Sequence, residues 1–491
     1  MAVAVDGRSL TIAAAMDVAE RDAQVKASPA SLERMEKFRG LLEEKLSRGE
    51  VVYGVNTGFG SLSDKIVSPD NLEQLQLNLI RSHSAGVGSP LPEVVVRAAM
   101  LIRLNSLLNG NSAVRREVAE LIVAMLNRRV TPYVPEFGSL GASGDLVPSA
   151  HMTLVMLGEG KAYRRGALKD SRAVLSASKL KPIKLHAKEG LSLINGTAFT
   201  SALSCVAVHR GNTLLRAANS ALATSAEVLE ACSQSFDERL VGVKLDPGQR
   251  SVAREIRTLL KGSRKIRQEP VPQDPYSIRC APQVHGSLKD ALEFAEKITV
   301  NEMNSVSDNP VLLEDGAVLH GGNFHAQPVA MGLDLLSLSL SYLGLMSLSR
   351  THYLLSKTPP ESKYMAGKPG LESGLMILEY TATALANDNA RNVYPESSYP
   401  ANVSGGIEDH ASHGVNAGVK CLQVAANISR ILAIELICAS NILGAKPGGN
   451  SEHAKRVIGF VRGHSPLLRG DRAQGDEIER IAKETLAGKL P

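Results

Sequence analysis

The sequence predicts a mainly α-helical protein, and three features of the chain carry that prediction. Apolar residues recur at three- and four-residue spacing through much of its 491 residues, as expected for amphipathic helices. Strand-like alternation is short and rare, as in VVYGV at 51–55 and AVLH at 317–320. Loops dense in glycine and amide side chains separate the helical stretches. Loops of this kind on a rigid scaffold commonly carry function, so we expect an enzyme.

The helical stretches can be followed in order along the chain. Residues 92–128 form the first long one, which ends where prolines prevent continuation. Later stretches with little or no proline lie at 198–236, 286–306, 326–357, 373–390 and 413–443. A helix of about thirty residues spans about 45 Å, which favours a bundle of long helices. We therefore predict an N-terminal domain at 1–200 that carries the catalytic loops, followed by an elongated α-helical bundle with C-terminal helices at 201–491.

Composition and charge exclude several classes of protein. The 55 basic and 50 acidic residues are interspersed, and the short basic patches at 164–165 and 261–268 lack the interleaved aromatics of a nucleic-acid platform. Five cysteines without a CxxC pair argue for a reducing compartment, and against a disulfide framework or a zinc ribbon. The N-terminus does not resemble a signal peptide, and no uncharged apolar run reaches membrane-spanning length. We expect a cytoplasmic protein without nucleic-acid or membrane partners.

The stretch GSLGASGDLVPSAHM at 138–152 places a glycine-rich loop directly before a helical run. A phosphate-binding loop is a weak interpretation, because the Lys-Ser/Thr of a P-loop and the GxGxxG pattern are both missing. A nucleophilic Ser143 is also disfavoured, since GASGD is not the G-x-S-x-G elbow.

The tripeptide Ala142-Ser143-Gly144 permits a different chemistry. A glycine nitrogen is unhindered, and glycine tolerates the backbone conformation that brings it onto a carbonyl two residues earlier. Attack of the Gly144 nitrogen on the Ala142 carbonyl closes a five-membered ring, and loss of two waters, one of them from Ser143, leaves an exocyclic methylene. Ordinary side chains offer no strong carbon electrophile, so such a group would extend the chemistry of the chain.

The tripeptide segment resembles the cofactor-forming segment of the histidine and aromatic amino acid ammonia-lyase family. Seven further motifs, two before this segment and five after it, occur in the order of that family and extend the resemblance over nearly the whole chain. They are YGVNTGFG at 53–60, NLIRSHSAGVG at 78–88, GLSLINGT at 190–197, QDPYSIRCAPQVHG at 273–286, NSVSDNP at 304–310, GGNFHAQP at 321–328 and EDHASHG at 408–414. The resemblance implies the ammonia-lyase/fumarase-like architecture. It also implies a homotetramer whose active sites combine loops from three subunits.

The resemblance also implies roles for particular residues. Ala142, Ser143 and Gly144 would form 4-methylidene-imidazol-5-one (MIO), with no metal or external cofactor, and its methylene would bind the substrate amine. Tyr53 would be the base that removes the β proton. A phenol, with an ordinary pKa near 10, needs stabilisation of its anion for that role. Arg279 would hold the substrate carboxylate, since a guanidinium matches it bidentately. The remaining implied contacts are Asn195, Gln273 and Tyr276 in a polar shell and Phe324 against the substrate ring.

Two positions favour histidine as the substrate, with urocanate as the product. His83 resembles the histidine- and tyrosine-type lyases, and Glu408 matches the histidine type, because a carboxylate stabilises a protonated imidazole. Ala198, Gln327 and Ile407 depart from the histidine-lyase pattern. A tyrosine or phenylalanine ammonia-lyase, or a 2,3-aminomutase with the same cofactor, therefore remains an alternative.

Two other classes of protein compete with the ammonia-lyase interpretation. EDHASH places His410 and His413 at helical i, i+3 spacing beside acids, a pattern that can hold zinc in a hydrolase. HExxH is absent, and no third ligand cluster is visible in the sequence. A non-catalytic helical scaffold is the other competitor, and it would leave the many glycine and amide loops unexplained.

Overall fold

The computed structural model describes residues 2–58, 60, 64–445 and 448–491, so Phe59 of the YGVNTGFG motif lies outside the described residues. The prediction of a mainly α-helical fold is confirmed. Eight shorter helices form the N-terminal part of the described chain: α1 Ile12–Ala19, α2 Pro29–Ser47, α3 Leu72–His83, α4 Glu93–Leu107, α5 Arg116–Asn127, α6 Leu146–Met156, α7 Ser171–Ala177 and α8 Glu189–Ile194.

Four long helices dominate the remainder, as the periodic stretches predicted. They are 31, 23, 30 and 32 residues long. In chain order the helices of this part are α9 Ala198–Val228, α10 Glu238–Gly242, α11 Pro247–Leu259, α12 Tyr276–Arg279, α13 Ala281–Met303, α14 Gln327–Ser356, α15 Met376–Asn392, α16 Gly414–Ala445, α17 Glu452–His464 and α18 Gly475–Leu486.

Nine short strands in the described chain form four small sheets. The strands are β1 Val3–Val5, β2 Val25–Ala27, β3 Val87–Pro90, β4 Val130–Pro132, β5 Pro135–Phe137, β6 Lys161–Arg164, β7 Ala167–Asp170, β8 Val311–Leu312 and β9 Val318–Leu319. β1 pairs with β2 in parallel, whereas β3 with β5, β4 with β6 and β7, and β8 with β9 are antiparallel. These strands lie in the connections between helices, and they form four separate sheets and not one central sheet.

The chain divides into two compact units, each assembled from separate segments. The first unit contains residues 1–209, 295–334 and 395–419, and the second contains residues 210–294, 335–394 and 420–491. Each of the four long helices contributes residues to both units. The predicted division into 1–200 and 201–491 stays a prediction.

Two local predictions were wrong, and in both cases a specific local contact explains the difference. The stretch at 92–128 is two helices, because Gly110 adopts φ +88° between them and a Cβ there would lie 2.7 Å from Phe38 Cδ2. VVYGV is a turn, in which the Asn56 side chain accepts a hydrogen bond from the Val52 amide and donates one to the Glu50 carbonyl. AVLH, by contrast, contains strand β9.

Helices α14 and α16 are long and apolar enough to cross a membrane by length and composition alone. In their most apolar windows 67% and 78% of the residues are buried within the chain. Core helices meet the same criterion. Both helices also carry charged residues, and Arg350 of α14 and Glu435 of α16 form a fully buried ion pair with an Nε–Oε1 distance of 2.6 Å.

Candidate active site

Two cavities in the first unit share a wall and bring most of the predicted site residues together. Their volumes are about 630 Å³ and about 390 Å³. Both are lined by Tyr53, Gly60, Ser143, Leu191, Asn195 and Glu408. The larger one also includes Ala142 and Phe324, and the smaller one includes His83. The loops or helix ends that carry these side chains adjoin helices α2, α3, α6, α8, α14 and α16.

Asn195 and Gly196, the two residues that follow helix α8, contact the Ala142-Ser143-Gly144 tripeptide, and we call their contacts the clasp. The Asn195 side-chain amide donates to the Ser143 carbonyl at 3.0 Å, and Gly144 forms a parallel β-bridge with Gly196. Gly144 adopts φ +77°, and a Cβ at this position would lie 2.4 Å from the Gly196 carbonyl oxygen. This close backbone approach requires glycine at 144. The tripeptide thus combines an unhindered glycine at positive φ with a donor on the Ser143 carbonyl, features that suit ring closure, so these residues fit the MIO group.

Asp145, directly after the tripeptide, is fully buried and fixes the start of helix α6. Its carboxylate accepts hydrogen bonds from the Thr200 amide at 2.7 Å and from the Thr200 hydroxyl at 2.8 Å. Its own amide donates to the Gly196 carbonyl at 2.7 Å. Burial raises the pKa of Asp145 to about 6, while the Thr200 donors and the Arg103 charge oppose that rise. The tripeptide is thus anchored on both of its flanks.

Tyr53 lies in the turn after helix α2, with its phenol oxygen held by the backbone. The Gly60 amide donates to that oxygen at 3.2 Å. The ring meets His320 edge-to-face, with centroids 5.4 Å apart. His320 belongs to none of the motifs in the sequence; it immediately precedes GGNFHAQP and lines the larger cavity.

His83 and Glu408 meet at the smaller cavity. The His83 Nδ1 lies 2.9 Å from the Leu79 carbonyl oxygen and 3.0 Å from the Ser82 hydroxyl, and Nε2 has no hydrogen-bond partner among the described residues. Burial lowers the pKa of His83, and the Leu79 carbonyl and the Glu408 charge partly offset that change. Glu408 is half-buried and is held by a β-bridge to Val403. The cavity therefore contains an imidazole and a carboxylate close enough to interact electrostatically.

The helical spacing predicted for EDHASH is wrong. Residues 408–413 form a loop, and α16 begins only at Gly414, because the His413 and Ser412 amides donate to the Leu140 and Gly141 carbonyls instead. His410 stacks on His325, with ring centroids 5.2 Å apart, at the edge of the larger cavity. Among the described residues no group of three or more His, Cys, Asp and Glu side chains could hold a metal ion. The loop therefore packs against residues 140–141, which directly precede the tripeptide.

Gln273, Tyr276 and Arg279 belong to the second unit, whereas the described residues that line the two cavities belong to the first. Tyr276 is 68% exposed, and the Arg279 guanidinium lies over its ring at 4.8 Å. The buried Arg350 donates to the Ser277 carbonyl at 3.2 Å and pairs with Glu435. Helix α12 therefore presents a tyrosine and an arginine from a turn that a buried ion pair fixes.

The three departures from the histidine-lyase pattern have different surroundings. Ile407 is 65% exposed and lines the larger cavity, so it changes the polarity of the site directly. Ala198 is buried at the first turn of α9. Gln327, at the start of α14, has a buried Oε1 without a hydrogen-bond partner in the described part of the chain.

The long helices and the Ala-Ser-Gly tripeptide in a polar cavity have counterparts in a known family. The sequence profile of the family described as aromatic amino acid lyase matches residues 10–462. The chain therefore belongs to the aromatic amino acid lyase family. It is 41% identical to the histidine ammonia-lyase of Caldanaerobacter subterraneus subsp. tengcongensis over 93% of this chain and 91% of that protein. The prediction of an ammonia-lyase of the histidine type is confirmed.

Solved structures agree with the fold. The histidine ammonia-lyase of Trypanosoma cruzi superposes with a TM-score of 0.90 at 36% identity, covering 100% of this chain and 96% of that chain. The tyrosine aminomutase of Streptomyces globisporus superposes with a TM-score of 0.94 at 32% identity, covering 100% and 98%. The fold is therefore common to proteins named for different reactions, and the residues of the cavity have to distinguish them.

Proposed function

We propose that this protein eliminates ammonia from L-histidine to give urocanate, with an electrophile that the chain makes from Ala142, Ser143 and Gly144. The observation that carries the proposal is the clasp on the tripeptide in a cavity that also contains Tyr53, His83 and Glu408. The relatives named histidine ammonia-lyase support the same substrate.

The electrophile would occupy the wall between Tyr53 and Asn195. When formed, MIO supplies a carbon electrophile that turns the substrate amine into a better leaving group. The Asn195 amide donates to the Ser143 carbonyl and withdraws electron density from it. Leu191 provides an apolar surface on the same wall.

Tyr53 is the proposed base for the β proton. The Gly60 amide donates to the phenol oxygen at 3.2 Å, which fixes the position of that atom. His320 fixes the orientation of the ring through the edge-to-face contact. The phenol oxygen is thus held in one place while the proton moves to it.

His83 and Glu408 are proposed to bind the imidazole of the substrate. The free Nε2 of His83 can donate to or accept from a ring nitrogen, and the Glu408 carboxylate favours an imidazole that carries an N–H or a positive charge. Phe324 is proposed to pack against the ring of the substrate. A phenyl ring would offer no donor to the Glu408 carboxylate, which penalises burial of that charge.

We propose a homotetramer in which Gln273, Tyr276 and Arg279 reach the site of a neighbouring copy. Arg279 would then bind the substrate carboxylate through its guanidinium. Helix α14 supports assembly, because it exposes an apolar stripe at three- and four-residue spacing: Met331, Leu335, Leu338, Tyr342 and Leu345 are 36–50% exposed. A stripe with this spacing on one long helix suits packing against another helix.

We also propose that the protein works in the cytoplasm, on a small-molecule substrate and without nucleic-acid or membrane partners. The five cysteines remain thiols, four of them buried, which suits a reducing compartment.

The experiment that tests the reaction is ultraviolet absorbance during separate incubations with L-histidine, L-tyrosine and L-phenylalanine. Urocanate from histidine alone is the expected result. Formation of coumarate or cinnamate would leave the proposed cofactor in place but would show that the substrate is tyrosine or phenylalanine. The departure at Ile407 would then be the feature of the sequence that indicated it. A β-amino acid, detected by chromatography, would identify an aminomutase.

Replacing Glu408 by glutamine is expected to lower kcat/KM for histidine by about 10- to 100-fold, the range for a lost charge-assisted hydrogen bond of ~1.5–3 kcal/mol. Turnover of tyrosine, or its inhibition constant if it is not turned over, should change much less. Asp409→Asn is the matched control, since Asp409 also lines the larger cavity. Equal losses for both amino acids would contradict the role given to Glu408.

A further inference from the structure

Arg103 of helix α4 is a fully buried cation outside the predicted site, and most of its donors are unused. Its Nη1 donates to the Asn195 carbonyl at 3.0 Å and, more weakly, to the Ser192 carbonyl at 3.4 Å. Its Nε and Nη2 have no hydrogen-bond partner among the described residues. The nearby Asp308 carboxylate is engaged by Lys188 at 2.6 Å. Buried charges are rarely left so incompletely paired, and such a group calls for an explanation.

The Arg103 guanidinium contacts Asn195 and Gly196, the two residues of the clasp. A Cβ on Gly196 would lie 2.9 Å from Arg103 Nη2, so the guanidinium is in close contact with this backbone. Through its carbonyl, Gly196 contacts Gly144 and accepts from the Asp145 amide at 2.7 Å. The segment of residues 195–196 is therefore held between Arg103 and the Ala142-Ser143-Gly144 tripeptide.

We propose that Arg103 is a positioning residue for ring closure in the tripeptide, an inference that rests on the proposed electrophile. Arg103 donates to the carbonyls of Ser192 and Asn195, where α8 ends, and so fixes the backbone that forms the β-bridge with Gly144. Asn195 then keeps its amide on the Ser143 carbonyl. Without this backing the segment can retreat, and the Gly144 nitrogen loses its approach to the Ala142 carbonyl carbon.

The closure itself is balanced and requires no oxidant. A bond forms between the Gly144 nitrogen and the Ala142 carbonyl carbon. The carbonyl oxygen leaves as water with the amide protons of Gly144 and Ser143, which creates a C=N bond. The Ser143 hydroxyl leaves with the Cα proton of the same residue as the second water. Completion therefore makes the chain lighter by two waters, a quantity that is independent of catalytic activity.

The test compares Arg103→Lys and Arg103→Met with the same substitutions at Arg97. Arg97 is a matched control, because it lies on the same helix, is 4% exposed and donates to backbone carbonyls, with its Nη2 2.8 Å from the Val18 carbonyl oxygen, but is not part of the clasp on the tripeptide. The full-length chain is synthesised in vitro, and its intact mass is followed with time. Thermal unfolding of each variant reports stability separately.

We expect loss of the two waters to slow by about tenfold or more in Arg103→Met relative to Arg97→Met, the scale of a small misplacement of reacting groups. Arg103→Lys should be intermediate, because lysine keeps the positive charge but carries its single nitrogen on a shorter side chain than the one that bears Nη1. If Arg103→Met does not fold, the rates at which Arg103→Lys and Arg97→Lys lose the two waters are compared instead. Equal maturation rates for Arg103→Lys and Arg97→Lys would overturn the inference. A wild-type chain that keeps both waters would instead overturn the proposed electrophile itself.

Discussion

Replacing Ser143 by alanine is expected to abolish deamination of histidine, with a loss on the order of 10³-fold or more. Alanine has no hydroxyl to leave, so the exocyclic methylene cannot form and the chain retains no strong carbon electrophile. Ser143 is only half-buried and its carbonyl, not its side chain, makes the hydrogen bond to Asn195. The fold should therefore survive the substitution. Turnover, intact mass and oligomeric state are the measurements.

Ser139→Ala is the matched control for this result. Ser139 lies in the same loop, is buried, and has a side-chain oxygen without a hydrogen-bond partner in the described part of the chain. The control should keep full turnover and should still lose two waters. Turnover retained by Ser143→Ala would refute the assignment of the electrophile, whatever the control does.

Replacing Tyr53 by phenylalanine is the second large effect, an expected loss of about 10²- to 10⁴-fold in kcat, the usual contribution of a general base. The substitution keeps the ring that packs on His320 and removes only the oxygen that Gly60 holds. Binding of the substrate should change little, so KM is expected to stay near its wild-type value. The mass should remain two waters short, because Tyr53 is not part of the tripeptide.

Tyr133→Phe serves as the control, since Tyr133 lies in the same unit, packs at a tilt of 38° against the Tyr163 ring and is not among the described residues lining the two cavities. Together the variants separate the electrophile from the base. Loss of activity with loss of maturation points to the tripeptide, and loss of activity in a fully matured chain points to proton transfer. A Tyr53→Phe enzyme with a kcat within about threefold of wild type would mean that another group is the base.

Much of the site could be predicted from motifs, but its geometry could not. The position of the tripeptide and its capacity to cyclise are properties of three adjacent residues. The contact with Arg103 is different, because it joins α4 to Asn195, which lies 92 positions later and just after α8. His320 was missed for a related reason. Its contact with Tyr53 joins two loops that no local pattern connects.

The errors at 92–128 and 408–413 have the same origin. Apolar spacing at 92–128 continues smoothly through the sequence, but the approach of Phe38 to Gly110 interrupts the helix. The i, i+3 spacing of His410 and His413 would suit a helix, but their loop donates its backbone amides to Leu140 and Gly141. In both places a contact from a distant part of the chain outweighs local propensity.

The sequence by itself determined the helical class, the order of the long helices and the family, because the helical repeat and the motifs are local properties of the chain. Only the tertiary structure decided how closely Gly144 approaches Gly196, which backbone amide donates to Tyr53, and which buried cation contacts residues 195–196. Such contacts depend on side chains and carbonyls brought together across the fold, and their energies come from burial and close approach that no linear spacing records.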